Sequence, residues 1–406
     1  MFVLPDAGKK PIKVWLRDKS EVEASCMEQA INLSNLPFAF RHIVLLPDCH
    51  TGYGMPIGGV LAAEDAIIPN AVGNDIGCGV AFVHTDVPAD LVNEIQVSNG
   101  TLAQKMVGDI MRSIPTGFDH QKQPQKSAIL EQFQAPAGMP NLEKEIDRAY
   151  YQLGTLGGGN HFIELQVDDD GRLGIMVHSG SRNLGLQICR AFNQLARNLN
   201  AKRSVPIPPE WQLAYLPTDT AEGQAYIEWM NMALGFAREN RHLMMERVKK
   251  IFFDNLAKHA GIDDVQLDLE INAHHNYAAL ETHFGKEVWV HRKGAIRARK
   301  GEYGIIPGAM GSFSYIVKGK GNPESFHSCS HGAGRVMSRK EATRQFSVEE
   351  VVDDLKSQSV TLGKRRRSDV AEESRWAYKD IDEVIENQLD LIEPVLRLRT
   401  VAVVKG

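Results

Sequence analysis

Short β-branched apolar runs recur along the chain: HIVLLPD (42 to 48), LGIMVHS (173 to 179), VQLDLEI (265 to 271), EVWVHR (287 to 292), SYIVKG (314 to 319) and VLRLRTVAVV (395 to 404). Each is bounded by Gly, Pro, Asp or Asn, so each predicts a strand. DDDGR (168 to 172) separates two such runs and predicts a hairpin turn. Elsewhere the apolar period lengthens. Residues 21 to 33, 185 to 199 and Glu222 to about His259 predict helices. In the longest, Trp229, Met232, Phe236, Leu243 and Val248 recur at helical spacings. Strands and helices are interspersed without regular alternation. The pattern predicts an α+β fold, with mixed β-sheets and flanking helices. No long Pro/Ser/Gly linker divides the chain, and 118 to 127 with 133 to 141 reads as a surface excursion. Residues 1–406 are therefore expected to form a single compact domain.

Composition narrows the class without naming a chemistry. The chain has 406 residues, 43% apolar and 24% charged. These are ordinary globular values, and they exclude a disordered chain, a collagen-like fibre and a coiled-coil rod. The net charge of −5 announces no polyanionic partner, although a basic cleft can exist within an acidic protein. No apolar run reaches the ~18 residues that a membrane span needs. The N-terminal stretch lacks a signal-peptide pattern, so a cytoplasmic location is expected. Five cysteines without a CxxC pair are not a disulfide framework.

The histidines sit in unusual surroundings: His161 in LGTLGGGNHFIEL, His178 in MVHSGSRNLG, His274 and His275 in EINAHHNY, and His331 in SCSHGAGR. Several follow or end a predicted strand, where loops carry function on a rigid scaffold. Asp75 and Cys78 lie in GNDIGCG, whose glycines let a tight loop turn both side chains toward one point. A carboxylate and a thiolate converging there make half of a metal site, and imidazole is the commonest further ligand. By ligand softness alone such a set suggests Zn or Fe(II) before Mn(II). A buried inert Cys beside a turn Asp is the plainer reading of GNDIGCG alone.

LGTLGGGNH, HSGSRNLG and SHGAGR are Gly-rich loops whose N–H groups can cradle phosphate. Arg182 precedes the helix predicted at 185 and offers bidentate donors to an anion. There is no Walker loop, no Rossmann GxGxxG in context and no KxDG lysine motif. If a nucleotide is held covalently, His331 is the natural nucleophile. Basic residues cluster at 291 to 301 and in KRRR (364 to 367), where a solvated charged loop is the plainer reading.

Taken together, PDCHTGYG, GNDIGCG, LGGGNHFIE, HSGSR, HHNY, YGIIPGAMG, SCSHGAGR, AYKDID and VVKG occur in order, and the chain resembles the RtcB family of RNA-splicing and RNA-repair ligases. The resemblance implies a family-specific α+β domain. It implies joining of RNA 2′,3′-cyclic phosphate or 3′-phosphate ends to 5′-hydroxyl ends, with GTP as cosubstrate and two Mn(II) ions. By resemblance Asp75, Cys78 and His161 would hold one ion, and Cys78, His178 and His275 the other. His274 is not assigned as a ligand. His331 would be the guanylylated nucleophile, and Asp48 and Arg182 would support guanylylation and grip phosphate. Asn160, Glu164, Asn276, Pro307, Gly308, Ala309, Met310, Ser314, Gly332, Ala333, Gly334 and Lys405 match guanylate-binding positions. One departure is Asn74 in GNDIGCG, where the family pattern has Val. A monomer is the default expectation. Two rivals are a dinuclear metal-dependent phosphodiesterase and a non-catalytic RNA-binding paralogue. SCSHGAGR argues against the first, and the intact ligands and His331 argue against the second.

Overall fold

The computed structural model describes residues 1–98, 100–137, 139–364 and 370–406. Most of the KRRR run, Arg365 to Arg367, lies outside the described residues. The fold is α+β, and among the described residues two large sheets dominate it. The first runs Phe2–Leu4, Ile12–Val14, Ala39–Tyr53, Met55–Ala63, Lys286–Lys293, Asn276–His283. The second runs Leu267–His274, Gly79–Pro88, Arg172–Ser179, Phe162–Asp168, Ile392–Lys405, Phe313–Gly319, Tyr303–Ile306, with Thr361–Gly363 parallel to Ile392–Lys405.

The second sheet is covered on both faces. Ala81, Val83, Ile175 and Val177 pack against Met244, Val248 and Phe252. Those three belong to the helix Ala221–Ala260. Val80, Phe82 and Met176 face the other way, against Val351 and Leu355 of the helix Val348–Ser357. A strand buried on both faces has no polar alternation, which is why its first half, Gly79 to Val83, reads as an unbroken apolar run. In the first sheet Ile43, Leu45 and Leu61 meet Met27, Ala30 and Leu33 of the helix Ala24–Ser34. Its other face, with Val44, Leu46 and Val60, shares a core with Ile306, Tyr315 and Val317 of the second sheet. Each such side chain contributes about 1.5–3 kcal/mol on burial.

Local chemistry fixes the element ends. Thr220 caps the long helix by accepting from the Gly223 N–H, and Gly261 closes it at a φ of 67°. The DDDGR turn forms because Asp168 Oδ1 accepts from the N–H groups of Asp170 (3.0 Å) and Arg172 (2.7 Å). The helix expected from residue 185 begins at Arg182 and runs to Asn200. The strand expected at 265 to 271 is Leu267–His274.

The basic run at 291 to 301 is solvated only at its end, where Arg299 and Lys300 are exposed. Its first residues end a strand of the first sheet, and Arg292 is fully buried against Glu281. Arg297 pairs with Glu302. Strand pairing and buried partners hold these cations, a constraint that composition does not reveal.

Candidate active site

Sheet register assembles the site. Ser179 pairs with Gly79, His178 with Phe162, His274 with Gly79 and Lys405 with Phe162. Five adjacent strands therefore bring Cys78, His161, His178, His275 and Lys405 to one end of the second sheet. Their order in sequence is scattered because antiparallel strands alternate which terminus reaches that end.

Cys78 Sγ lies 3.4 Å from His161 Nε2 and 3.3 Å from His178 Nε2. Among the described residues these three could hold a metal ion, their ligand atoms all within 4.8 Å of one another. Asp75 Oδ2 is 3.2 Å from His161 Nε2. Its other oxygen accepts from the Ser181 N–H at 3.0 Å. His161 Nδ1 donates to the Leu156 carbonyl at 2.9 Å, which leaves Nε2 as the free donor atom. A side chain at Gly157, where φ is 92°, would overlap the Arg182 guanidinium and the His161 ring. The His275 ring is 5.1 Å from that of His178, and its buried Nδ1 has no hydrogen-bond partner. An unpartnered buried nitrogen beside a thiol and two imidazoles suits a cation ligand. Burial pushes His178 and His275 well down, so both are neutral lone-pair donors. Burial and Asp75 push the Cys78 thiol up, so a thiolate there needs a cation.

His274 is turned away from this cluster. Its Nδ1 sits 3.0 Å from the Gly77 carbonyl and 3.0 Å from Arg241. Arg241 is fully buried and donates to the carbonyls of Gly77 (2.8 Å) and Ser179 (2.9 Å). Its neighbour Asn240 accepts from Gly154 N–H and donates to Gly180. The long helix thus clamps three of the loops that carry donors. Sequence reasoning missed this pair, although two polar residues inside the buried register of a helix were a visible signal.

His331 follows the short strand Ser328–Ser330. Its Nδ1 is 2.7 Å from Asp48 Oδ2, which also accepts from the N–H groups of His331 (3.0 Å) and Gly332 (3.3 Å). Burial pushes the Asp48 carboxyl up, but His331 outweighs it and holds it ionised, below the usual range. The carboxylate therefore accepts a hydrogen bond from Nδ1–H, which leaves the lone pair on Nε2. The ring of His331 is 4.8 Å from that of His275.

Two cavities meet at His331. One, of about 270 Å³, is lined by Asp75, Cys78, His275 and Asn276, with Asn74 and Lys293. The other, of about 220 Å³, is lined by His178, Pro307 to Met310, Gly332 to Gly334 and Lys405. Asn160 and His331 line both. Arg335, Arg339, Glu373 and Tyr378 complete the second wall and were not among the residues read from sequence. Lys405 Nζ donates to Glu373 Oε2 at 3.1 Å. Burial pushes Glu373 up, but Lys405, Arg339 and Arg335 hold it down to about 2.

Three named residues stand behind these walls. Ser314 Oγ accepts from the Gly308 N–H at 3.1 Å. Glu164 is gripped by Gln166 Nε2 at 2.7 Å. Arg182 donates to Thr155 Oγ1 (3.0 Å) and the Gly117 carbonyl (2.8 Å) and its charge faces Asp75. Asn276 belongs to the first cavity, where it donates to the Asp75 carbonyl and accepts from Gly294 N–H.

Burial raises the Glu164 carboxyl to about 7. A raised carboxyl favours the fold while protonated. That contribution is complete below pH 4.5 and is lost as pH rises through 7. Between those limits the wild type should lose on the order of 3 kcal/mol relative to Glu164→Gln. Paired melting curves measure the difference, and a gap that ignores pH contradicts it.

Residues 29–406 match the family model described as tRNA-splicing ligase RtcB. The chain is 41% identical over 413 residues to the RNA-splicing ligase RtcB of Escherichia coli strain K12, covering 98% of this chain and 97% of that one. It is 33% identical over 475 residues to the tRNA-splicing ligase RtcB of Nanoarchaeum equitans, covering 100% and 98%. The RNA-splicing ligase RtcB of Mycobacterium tuberculosis strain H37Rv is 33% identical over 440 residues, covering 93% and 100%. The chain therefore belongs to the RtcB family of splicing ligases.

Proposed function

We propose that this protein is a GTP-dependent RNA ligase that joins RNA 3′-phosphate or 2′,3′-cyclic phosphate ends to 5′-hydroxyl ends. The observation that carries the reading is His331, oriented by Asp48 at the junction of two cavities, one reaching Asp75, Cys78 and His275 and the other reaching His178 and the loops 307 to 310 and 332 to 334. A hydrolase needs one reaction chamber. A nucleotidyl-transfer enzyme needs a nucleophile that faces the nucleotide and then the acceptor.

His331 Nε2 attacks the α-phosphorus of GTP, and the P–O bond to pyrophosphate breaks. Asp48 offsets the positive charge that grows on the imidazole as the N–P bond forms. The guanylate lies in the second cavity, against Pro307 to Met310 and Gly332 to Gly334, with the Lys405 ammonium beside it. The RNA 3′-phosphate then attacks the histidine guanylate, restoring His331 and forming an RNA 3′-pp-5′-G end. The 5′-hydroxyl of the second RNA attacks the activated 3′-phosphorus, and GMP leaves. Asp75, Cys78 and His161 would hold one Mn(II), and Cys78, His178 and His275 a second. The ions would supply charge neutralisation for phosphate oxygens and a hydroxide for the cyclic phosphate. Arg182, behind the donor loop, steadies it and supports Asp75. The core shared by the two sheets supports one catalytic domain over 1–406. No helix among the described residues is long and apolar enough to cross a membrane.

The test is an RNA joining assay with one 2′,3′-cyclic phosphate strand and one 5′-hydroxyl strand, GTP and Mn(II). Joined product without ATP supports the reading. An opened, unjoined phosphate end with no GTP requirement overturns it in favour of a phosphodiesterase. Within the reading, Asp48→Asn keeps the shape and one acceptor oxygen but removes the charge. Its guanylylation rate should fall about a hundredfold, with the KM for GTP little changed. Single-turnover labelling measures both.

A further inference from the structure

Tyr53 lies at the turn between Ala39–Tyr53 and Met55–Ala63, the two strands that also carry Asp48 and Ile57. It lines the cavity that holds the metal donors and His331. Its side chain is 50% exposed, among few large apolar groups so placed. No hydrogen bond or ring contact involves its ring or hydroxyl among the described residues.

The backbone beneath it is held from three directions. Gln29 exchanges two hydrogen bonds with Gly52, at 2.8 and 3.0 Å. Lys293 Nζ donates to the Tyr53 carbonyl at 2.6 Å. Gly54 has a φ of 74°, and a side chain there would meet the Gln212 carbonyl at 2.7 Å. A rigid turn thus presents an unpartnered aromatic face at the cavity mouth. Pre-organisation of this kind lowers the entropy lost when a flat ligand lands on it. Asn70, Asn74, Asn160 and Asn276 line the same cavity, and their neutral amides suit sugar hydroxyls and phosphate oxygens rather than a base.

We propose that Tyr53 is a positioning residue for RNA, a platform on which the base of the 3′-terminal nucleotide stacks while its phosphate enters the cavity toward His331. The inference rests on the ligase reading above. Single-stranded ends are recognised by stacking unpaired bases on aromatic side chains, and such stacking tolerates any base. A 3′-phosphate on a flexible end has many orientations. Anchoring its base fixes the phosphate near the histidine guanylate and lowers the KM for RNA.

The experiment compares two 3′-phosphate RNAs, one intact and one abasic at the last nucleotide, by fluorescence anisotropy and by joining rate. For the wild type, the abasic end should bind about tenfold more weakly. Tyr53→Ala should bind both ends equally, at the weaker level, and Tyr53→Trp should restore the preference. A side chain that merely supports the fold would move both RNAs together and would not be rescued by Trp. A wild type that joins RNA yet binds the two ends equally overturns the assignment of Tyr53 alone. So does a Tyr53→Ala variant that keeps the preference. A wild type that binds and joins neither RNA overturns the ligase reading along with it.

Discussion

His331→Ala should lower RNA joining to the uncatalysed background while metal loading persists. The reason is that the nucleophile has no substitute. His161, His178 and His275 are buried around Cys78, and His50 lies with its Nδ1 on the Asp48 carbonyl. Among the described residues, only His331 combines a carboxylate-held Nδ1 with a place in both cavities. When covalent catalysis is obligatory, its removal does not slow one path but deletes it. The variant also leaves Asp48 with backbone donors only. A buried carboxylate deprived of one hydrogen bond costs about 1–3 kcal/mol, a modest fall in melting temperature. Joining activity, metal content and melting temperature, measured together, separate loss of chemistry from loss of fold. Joining by His331→Ala above background contradicts the assigned role.

Cys78→Ala should release the metal. Cys78 Sγ lies close to both His161 and His178, so it is the hub of the donor cluster. Loss of a partner that only orients a ligand already costs about 10–100-fold in metal affinity. Loss of the hub should cost at least ~100-fold. The metal-free protein should melt close to the wild type, because the close partners of the buried thiol are other side chains of the site, His161, His178 and Asp75. A metal that binds only the folded state stabilises it by RT ln(1 + c/Kd), with c the free metal concentration, so a large rise in Kd removes most of the gain. The upward shift in melting temperature that Mn(II) or Zn(II) gives the wild type should therefore vanish in Cys78→Ala. An undiminished shift would place the metal elsewhere.

Much of this architecture is legible from residue pattern. The apolar runs at 42 to 48, 173 to 179 and 395 to 404 lie in strands, and DDDGR closes a hairpin, because turn chemistry and burial act locally. Helix starts are less legible. Arg182 opens its helix at a positive φ of 60°, and Ser181 before it gives its hydroxyl to Asp75 rather than to a helix N–H. Within the site, proximity of the donors depends on strand register. Spacing cannot supply that register, because His274 and His275 are neighbours that point to different environments. Arg241 donates to Gly77 and Ser179, residues separated from it by 164 and 62 positions. Lys293 belongs to the basic run at 291 to 301, but it is buried, and burial lowers its amine to about 8. Both examples show long-range packing deciding what a charged residue does. Glu164 and Ser314 show the opposite limit: a residue type matched to a site can stand one layer behind its wall.

The central claim is that His331 carries guanylate between the two cavities. The direct measurement is covalent labelling of the wild-type protein with α-labelled GTP and Mn(II), followed by denaturing electrophoresis. The account predicts a labelled band that is labile to acid and stable to alkali, as a phosphoramidate is, and absent from His331→Ala. No band from metal-loaded protein across Mn(II), Zn(II) and Co(II), or an acid-stable one, would contradict it.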